Sequence, residues 1–230
     1  MSKQGLVLDK VVLLGRTLDE YTRFFGLDLP ALRGRPVLDV ASGVSSFCAE
    51  ANALGIPTTA CDLIYQFSHD EIQRRCEPDL DRVTRDIAHA QTYRWDFYKS
   101  PAGMRAYRER AYKTFLTDYL AHRGTRYLHS ELPHLPFAYR QFDLTLVSYL
   151  LFVYEDHFDY EFHKRSLLEI MRVTRGEARC YPLVTFEAQR SSFLDRLRAD
   201  PDLSHLLFEV IPTDFEFLLG SNNYLRIRHR

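Results

Sequence analysis

The segment Val37–Phe47 reads VLDVASGVSSF, and this stretch decides how the rest of the chain is arranged. Residues 37–41 form a short, mostly apolar run, which is typical of a strand buried on both faces of a sheet. The small residues after it predict a tight turn, and a helix is expected from Ser45 or Ser46 because serine is a good N-cap residue. This order of strand, turn and helix predicts the start of a nucleotide-binding βαβ unit.

A second strand is expected over residues 57–62, and it ends in an acid, Asp62, about 20 residues after Gly43. In nucleotide-binding folds an acid at this place accepts hydrogen bonds from ribose hydroxyl groups. A dinucleotide site needs further glycines so that the backbone can approach a pyrophosphate, but Ala41 and Ser45 occupy the flanking positions. The turn therefore argues against a nicotinamide-dependent enzyme.

The carboxylate of Asp39 indicates another class of ligand. A carboxylate near the turn would repel phosphate, whereas it can orient a cationic amino or sulfonium group. In this respect the segment resembles the first motif of the class I S-adenosylmethionine-dependent methyltransferases, which runs hydrophobic-x-Asp/Glu-x-Gly-x-Gly. Ala41 and Ser45 depart from the glycines of that motif. Another α/β nucleotide-binding fold, or a strand-turn-helix with no ligand, remains an alternative at this point.

A second block supports the resemblance. Residues 127–137 read YLHSELPHLPF, and residues 141–148 read QFDLTLVS. This order resembles the small-molecule methyltransferases of class I, in which a Gly-Asp-Ala-x-x-Leu-Pro-Phe segment precedes a Phe-Asp-hydrophobic strand. The resemblance places Ser130 at the glycine and Glu131 at the aspartate that contacts the adenine amino group. The Leu132 amide can donate to the neighbouring ring nitrogen.

The resemblance implies S-adenosylmethionine as the cofactor. A helix is predicted over residues 17–26, because Thr17 and Glu20 can form a capping box and Gly26 can end it. It would either pack on the sheet edge or lie over the cofactor and bring Tyr21 to the methionine end. The predicted cofactor-binding residues are Tyr21, Asp39, Ala41, Ser42, Gly43, Asp62, Leu63, Glu131, Leu132 and Ser148.

The chain between Asp62 and the next predicted strand, residues 125–128, is unusually long. About 60 residues lie there, far more than a βαβ crossover needs. We therefore predict a helical insertion over 64–124 that acts as a lid. Its second helix has a basic side, which is either a solvated face or a docking surface for a phosphate-bearing or acidic substrate. The cations of that side are Arg105, Arg108, Arg110 and Lys113, followed by Arg123 and Arg126.

Aromatic residues are candidates for the wall around the methyl acceptor. Trp95 and Tyr98 lie in the insertion that would cover the site, and Phe152 and Tyr154 follow the fourth strand. His157 in the loop after that strand is a candidate general base. Tyr149 is the second catalytic candidate.

The alternation of acids and histidines from His157 to His163 does not predict a metal site. A helix that begins near Asp159 would scatter those side chains around its axis. Asp156 or Asp159 as a helix cap is the better explanation.

The composition bounds the class of protein. The chain has 230 residues and a net charge of -1, so no overall field attracts it to nucleic acid or to an anionic membrane. No signal peptide or membrane-spanning run is present in the sequence. The dispersed cysteines predict reduced core residues of a cytoplasmic protein. They are Cys48, Cys61, Cys76 and Cys180.

We predict one α/β domain over residues 1–230, with a helical cap over 1–36. The fold is a Rossmann-like, seven-stranded, mostly parallel sheet with helices on both faces and a helical insertion after strand 2. A fifth strand is expected over 178–185 and a final antiparallel hairpin over 206–211 and 223–228. The predicted activity is methyl transfer from S-adenosylmethionine to a small molecule. The alternatives are an RNA methyltransferase and a non-catalytic S-adenosylmethionine-binding protein, and the oligomeric state is not predicted.

Overall fold

The computed structural model describes residues 12–230, so the first part of the predicted N-terminal cap, residues 1–11, lies outside the described residues. Seven strands are present in this range. They are β1 (Val37–Val40), β2 (Thr58–Asp62), β3 (Tyr127–His129), β4 (Phe142–Ser148), β5 (Thr174–Tyr181), β6 (Leu206–Pro212) and β7 (Asn223–His229).

These strands form one sheet in the order β3-β2-β1-β4-β5-β7-β6. The pairs β1 with β2, β1 with β4, β2 with β3, and β4 with β5 are parallel. Only β7 runs antiparallel to its neighbours, β5 and β6. The predicted seven-stranded, mostly parallel, Rossmann-like sheet is therefore confirmed, and so is the final antiparallel hairpin.

Seven α-helices lie within residues 12–230, and several of them begin at a side-chain cap. They are α1 (Leu18–Phe25), α2 (Leu29–Leu32), α3 (Phe47–Ala53), α4 (His69–Ala88), α5 (Pro101–His122), α6 (Tyr160–Val173) and α7 (Phe193–Ala199). Thr17 and Glu20 form the predicted capping box of α1, and Gly26 ends that helix in the left-handed region. Ser68 caps α4, and Asp159 caps α6.

The position of β5 differs from the prediction. The strand begins at Thr174, directly after the last residue of α6, and ends at Tyr181. Pro182 stops it because proline has no backbone N–H to donate to the neighbouring strand. The strand predicted over 178–185 is therefore four residues too late at each end.

Helices cover both faces of the sheet, as predicted. Along β1 the side chains alternate: Val37 packs with Tyr21 of α1 and Phe47 of α3, whereas Leu38 packs with Leu167 of α6 on the opposite face. The two long helices between β2 and β3 add a third cluster beside α3, which includes Ile72, Phe115 and Ala60. The predicted insertion is thus two packed helices, and its role as a lid stays a prediction.

The strand order reverses direction at β1, because the chain leaves it toward β2 on one side and returns to β4 on the other. A crevice forms outside the carboxyl ends of the strands at such a switch point. The residues that follow β1, β2, β3 and β4 therefore meet along one edge. None of the helices within residues 12–230 is long and apolar enough to span a membrane.

Candidate active site

A cavity of about 450 Å³ lies at this edge of the sheet, within the range of small-molecule sites. The ends of all four strands line it. Of the predicted cofactor-binding residues, the structure brings the following to its wall: Ala41, Ser42, Gly43, Asp62, Leu63, Glu131, Leu132 and Ser148. Tyr149 and Tyr154 also line it.

The turn after β1 is held in an unusual backbone conformation. Both Ala41 and Gly43 have a φ of 55°. Glycine adopts this region freely, but the left-handed conformation costs a residue with a Cβ about 1–2 kcal/mol. Ala41 stands where the methyltransferase motif has glycine, so this turn holds a residue with a Cβ in a conformation that favours glycine.

Asp62 ties the end of β2 to this turn. Its Oδ2 accepts a hydrogen bond from the Gly43 amide at 2.8 Å, and its Oδ1 accepts one from the Ile64 amide at 2.9 Å. Burial raises the pKa of Asp62, although the two amides act in the opposite direction. A carboxylate has about four lone-pair sites, so Asp62 can still accept bonds from hydroxyl groups in the cavity.

Asp39 lies beneath the turn and does not line the cavity. The Tyr21 hydroxyl is 3.0 Å from its Oδ1, and the Ser42 hydroxyl donates to its Oδ2 at 2.6 Å. Tyr21 also contacts the Ser148 hydroxyl at 2.9 Å, and its ring stacks on Phe47. Tyr21 and Asp39 were predicted to contact the cofactor directly. In the structure they instead hold Ser42 and Ser148 in place, and these two serines line the cavity.

Burial raises the pKa of Asp39 to about 7, while hydrogen bonds from Ser42 and Tyr21 lower it and the nearby Asp62 charge raises it further. Among residues 12–230, no cation is a cause of this shift. Asp39 therefore gains and loses its proton near neutral pH. The floor of the site carries less negative charge than the residue type alone suggests.

Glu20 forms a second buried carboxyl site behind the wall. Arg108 of α5 donates to its Oε1 and to the Gly15 carbonyl oxygen, and Tyr98 donates to the same Oε1. Thr17 completes the site through its amide at 2.8 Å. Burial opposes ionisation, but Arg108 and the hydrogen bonds keep the pKa of Glu20 below its usual value.

This site corrects two predictions. Tyr98 is buried and bound to Glu20 and Arg108, so it is not part of the acceptor wall. Arg108, predicted on a basic face that is either solvated or a docking surface, is 2% exposed. The signal was present in the sequence: Arg108 falls on the same helical stripe as Met104, Ala111 and Phe115.

Aromatic rings line another part of the cavity wall. The Phe158 and Phe162 rings stack at 4.4 Å, and the Tyr154 ring meets Phe186 edge-on at 5.0 Å. These rings come from the loop after β4, the start of α6 and the loop after β5. Tyr93 and Phe217 add a second pair, with ring centroids 4.8 Å apart. Of these, only Tyr154 was predicted as an acceptor-wall residue.

Trp95, Phe152 and His157 do not line this cavity. Trp95 packs behind Phe217, and the Phe152 ring is buried against His163. His157 is exposed and rests on the outer side of Tyr154. The placement of Trp95 and Phe152 in the wall is therefore wrong, and His157 is not positioned as a base facing the cavity.

His163 holds the loop after β4 through both of its ring nitrogens, and the sequence did not single it out for a role. Its Nε2 accepts from the Phe152 amide at 3.0 Å, and its Nδ1 lies 2.8 Å from the Asp159 carbonyl oxygen. Burial lowers the pKa of His163. A neutral ring with a proton on Nδ1 satisfies both contacts and fixes the loop that carries Tyr149 and Tyr154. No group of three or more His, Cys, Asp and Glu side chains within residues 12–230 is arranged to hold a metal ion.

Arg16 is a cavity residue that the sequence gave no reason to select. It precedes the N-cap of α1, lines the cavity and is 8% exposed. Its guanidinium carbon lies 4.1 Å from the centre of the Tyr149 ring. The preceding Gly15 lies flat on the turn, since a Cβ there would come within 2.1 Å of the Val44 carbonyl oxygen.

Over 225 residues the chain is 36% identical to uncharacterized protein MJ0045 of Methanocaldococcus jannaschii, and the match covers 97% of this chain and 98% of that protein. The chain belongs to the MJ0045 family. No protein-family model matches it.

Solved structures share the fold of this MJ0045-family chain. Magnesium protoporphyrin IX methyltransferase (ChlM) from Synechocystis PCC 6803, with bound SAH, superposes with a TM-score of 0.50 at 11% identity, covering 93% of this chain and 81% of ChlM. A Rhodobacter sphaeroides protein named as a Zn-dependent alcohol dehydrogenase gives 0.50 at 13% identity, covering 94% and 92%. At these identities the likeness concerns the fold alone. The MJ0045-family chain has the class I methyltransferase-like fold that the two sequence blocks predicted.

Proposed function

We propose that this protein transfers a methyl group from S-adenosylmethionine to a small-molecule acceptor. The observation that carries the proposal is the single cavity that joins the carboxyl ends of four strands to a compartment of aromatic side chains. The first part suits a nucleoside, and the second suits an apolar acceptor held next to it.

The residues present fit this cofactor. Asp62 retains lone pairs for ribose hydroxyls, and Glu131 at the end of β3 can accept from an adenine amino group. Ser42 and Ser148 stand at the amino acid end. The Ala41 methyl group takes the place of a glycine at the turn, which is a poor cradle for a pyrophosphate.

When bound, the cofactor supplies an activated methyl group: the acceptor's lone pair bonds to the methyl carbon as the carbon–sulfur bond breaks, leaving its electron pair on sulfur. The chain's part is to align the acceptor and exclude water, and the aromatic compartment supports both tasks. Burial raises the pKa of Tyr149, and raises that of Tyr154 to about 12. These phenols are therefore protonated near neutral pH and orient the acceptor as donors. The acceptor arrives with its lone pair free, and any proton that it loses goes to water.

The RNA alternative has weaker support. Three of the six cations of the predicted basic face pair with an acid in the same region. The pairs are Arg105 with Asp81, Lys113 with Glu109, and Arg126 with Asp118. Arg108 is buried, so it cannot reach a phosphate backbone. We therefore favour a small molecule as the partner. The four cysteines are free and buried, which supports the proposed cytoplasmic location.

Titration with S-adenosylhomocysteine tests the proposal. We expect Asp62→Asn to weaken binding at least about tenfold, because each lost hydrogen bond to a charged group contributes roughly 1.5–3 kcal/mol. Asp143→Asn is the matched control, since Asp143 pairs with Arg175 on the surface. Isothermal calorimetry measures both affinities. Equal affinities for wild type and Asp62→Asn would refute the ribose assignment.

The non-catalytic alternative needs a separate measurement. Wild-type protein is incubated with S-adenosylmethionine and a metabolite extract, and S-adenosylhomocysteine is followed by mass spectrometry. Acceptor-dependent formation of S-adenosylhomocysteine is the expected result. Binding without any turnover would favour a protein that only holds the cofactor.

A further inference from the structure

Arg16 is a buried cation whose hydrogen-bonding groups are largely unused. Its Nη1 donates to the Leu14 carbonyl oxygen, and its Nε has no hydrogen-bond partner among residues 12–230. The side chain is 8% exposed, and it lines the cavity. A buried guanidinium with free donors is costly unless an anion pairs with it.

The acids of the described chain do not supply that anion. Glu20 interacts electrostatically with Arg16, but Arg108, Tyr98 and Thr17 already hold its oxygens. Two arginines thus share one carboxylate, and this part of the site keeps a positive charge.

The two acids among residues 12–230 that line the cavity are both assigned to the nucleoside. Asp62 ends β2 and Glu131 follows β3, where we place that nucleoside. Arg75, the second cation of the lining, interacts electrostatically with Asp62. Among residues 12–230, Arg16 is therefore the cavity cation left for a ligand.

The surroundings of Arg16 define the rest of that ligand. Its guanidinium lies 4.1 Å above the Tyr149 ring, and a guanidinium can hold a carboxylate through two parallel hydrogen bonds. Tyr154, Phe158 and Phe186 supply apolar surface in the same cavity. A flat, apolar body with one carboxylate at its edge matches both features.

Building on the proposed function, we infer that the methyl acceptor is an aromatic carboxylic acid whose carboxylate pairs with Arg16. The cofactor also carries a carboxylate, so the same chemistry has two sources. We assign Arg16 to the acceptor because its guanidinium stacks on Tyr149 and interacts electrostatically with Tyr93 and Tyr154 of the aromatic compartment.

The experiment compares 2-naphthoate with its neutral amide, 2-naphthamide, as ligands of protein saturated with S-adenosylhomocysteine. We expect wild type to bind the carboxylate at least tenfold more tightly. Arg16→Gln removes this preference, and Arg16→Lys retains part of it, because lysine keeps the charge without the bidentate fork. Arg105→Gln, which removes a surface cation paired with Asp81, leaves the preference unchanged.

Three results would overturn the inference. One is equal binding of the acid and the amide to wild type. Another is a preference that survives Arg16→Gln. A third is a loss of S-adenosylhomocysteine affinity of tenfold or more in Arg16→Gln, which would assign Arg16 to the cofactor's own carboxylate. The proposed function fails on a different reading: wild type that does not bind S-adenosylhomocysteine at all.

Discussion

Glu20 and Asp39 are both fully buried, and both accept a hydrogen bond from a tyrosine, yet the protein treats them in opposite ways. Glu20 faces Arg108, and its pKa is lowered. Asp39 has only the neutral donors Tyr21 and Ser42, and its pKa is raised to about 7. The comparison shows that burial alone does not set the charge of a site, because nearby cations and their hydrogen bonds reverse the outcome.

The two buried carboxyl sites also have different roles in the protein. The charged pair of Glu20 and Arg108 locks α1 to α5 and is closed to ligands. The Asp39 group supports the serines that line the cavity and carries a proton that exchanges near neutral pH. The Glu20–Arg108 pair fixes the scaffold, and the Asp39 group lets the charge beneath the cavity change with pH.

The largest effect is expected from removing the cation. Arg108→Met leaves Glu20 buried without its counter-ion, and we expect it to lower the free energy of unfolding by about 3–5 kcal/mol. Urea denaturation at pH 7 measures this. Arg105→Met is the control on the same helix, since its surface pair with Asp81 contributes at most about 1 kcal/mol. Similar losses in the two variants would contradict the contrast.

The next effect concerns pH. Because the folded pKa of Asp39 lies above its unfolded value, the stability that this group contributes is full below about pH 4 and is lost as the pH rises toward 7. Asp39→Asn removes this loss, which is on the order of 1–3 kcal/mol. Comparing the change in unfolding free energy between pH 4.5 and 8 for both proteins tests it. Parallel pH profiles would show that Asp39 does not titrate in this window.

The smallest expected effect is a difference between two matched variants. Tyr98→Phe removes a hydrogen bond to the ionised Glu20, whereas Tyr21→Phe removes one to the partly protonated Asp39. Bonds to charged groups are the stronger, so Tyr98→Phe should cost about 1 kcal/mol more at pH 7. Thermal and urea unfolding of both variants measure the difference. A larger cost for Tyr21→Phe would reverse the ranking of the two sites.

The parts of the fold that depend on local patterns were predictable from the sequence. The capping box of Thr17 and Glu20 marked the start of α1, and Asp159 marked that of α6. Eight of the ten predicted cofactor-site residues lie near the strand ends and line the cavity. The other two are Tyr21 and Asp39. Hydrophobic periodicity and caps act over a few residues, so they can be read without the tertiary structure.

The contacts between distant segments could not be read in this way. Arg108 meets Glu20 across 88 residues of chain, and that pairing turned Tyr98 from a wall candidate into a core residue. Phe158, Phe186 and Phe217 reach one cavity from three separate loops and elements. Nothing in their spacing marks them, because their proximity arises only when the sheet is assembled.

Gly15 connects these observations. Its carbonyl oxygen receives a bond from Arg108, the next residue is Arg16, and a Cβ at position 15 would collide with the Val44 carbonyl oxygen. A larger residue at position 15 would push the segment that contains Gly15 and Arg16 away from the turn after β1. The same shift would weaken the Arg108 contact and move the Arg16 guanidinium out of the cavity. The space that Gly15 leaves free thus affects both the Arg108 contact and the position of Arg16.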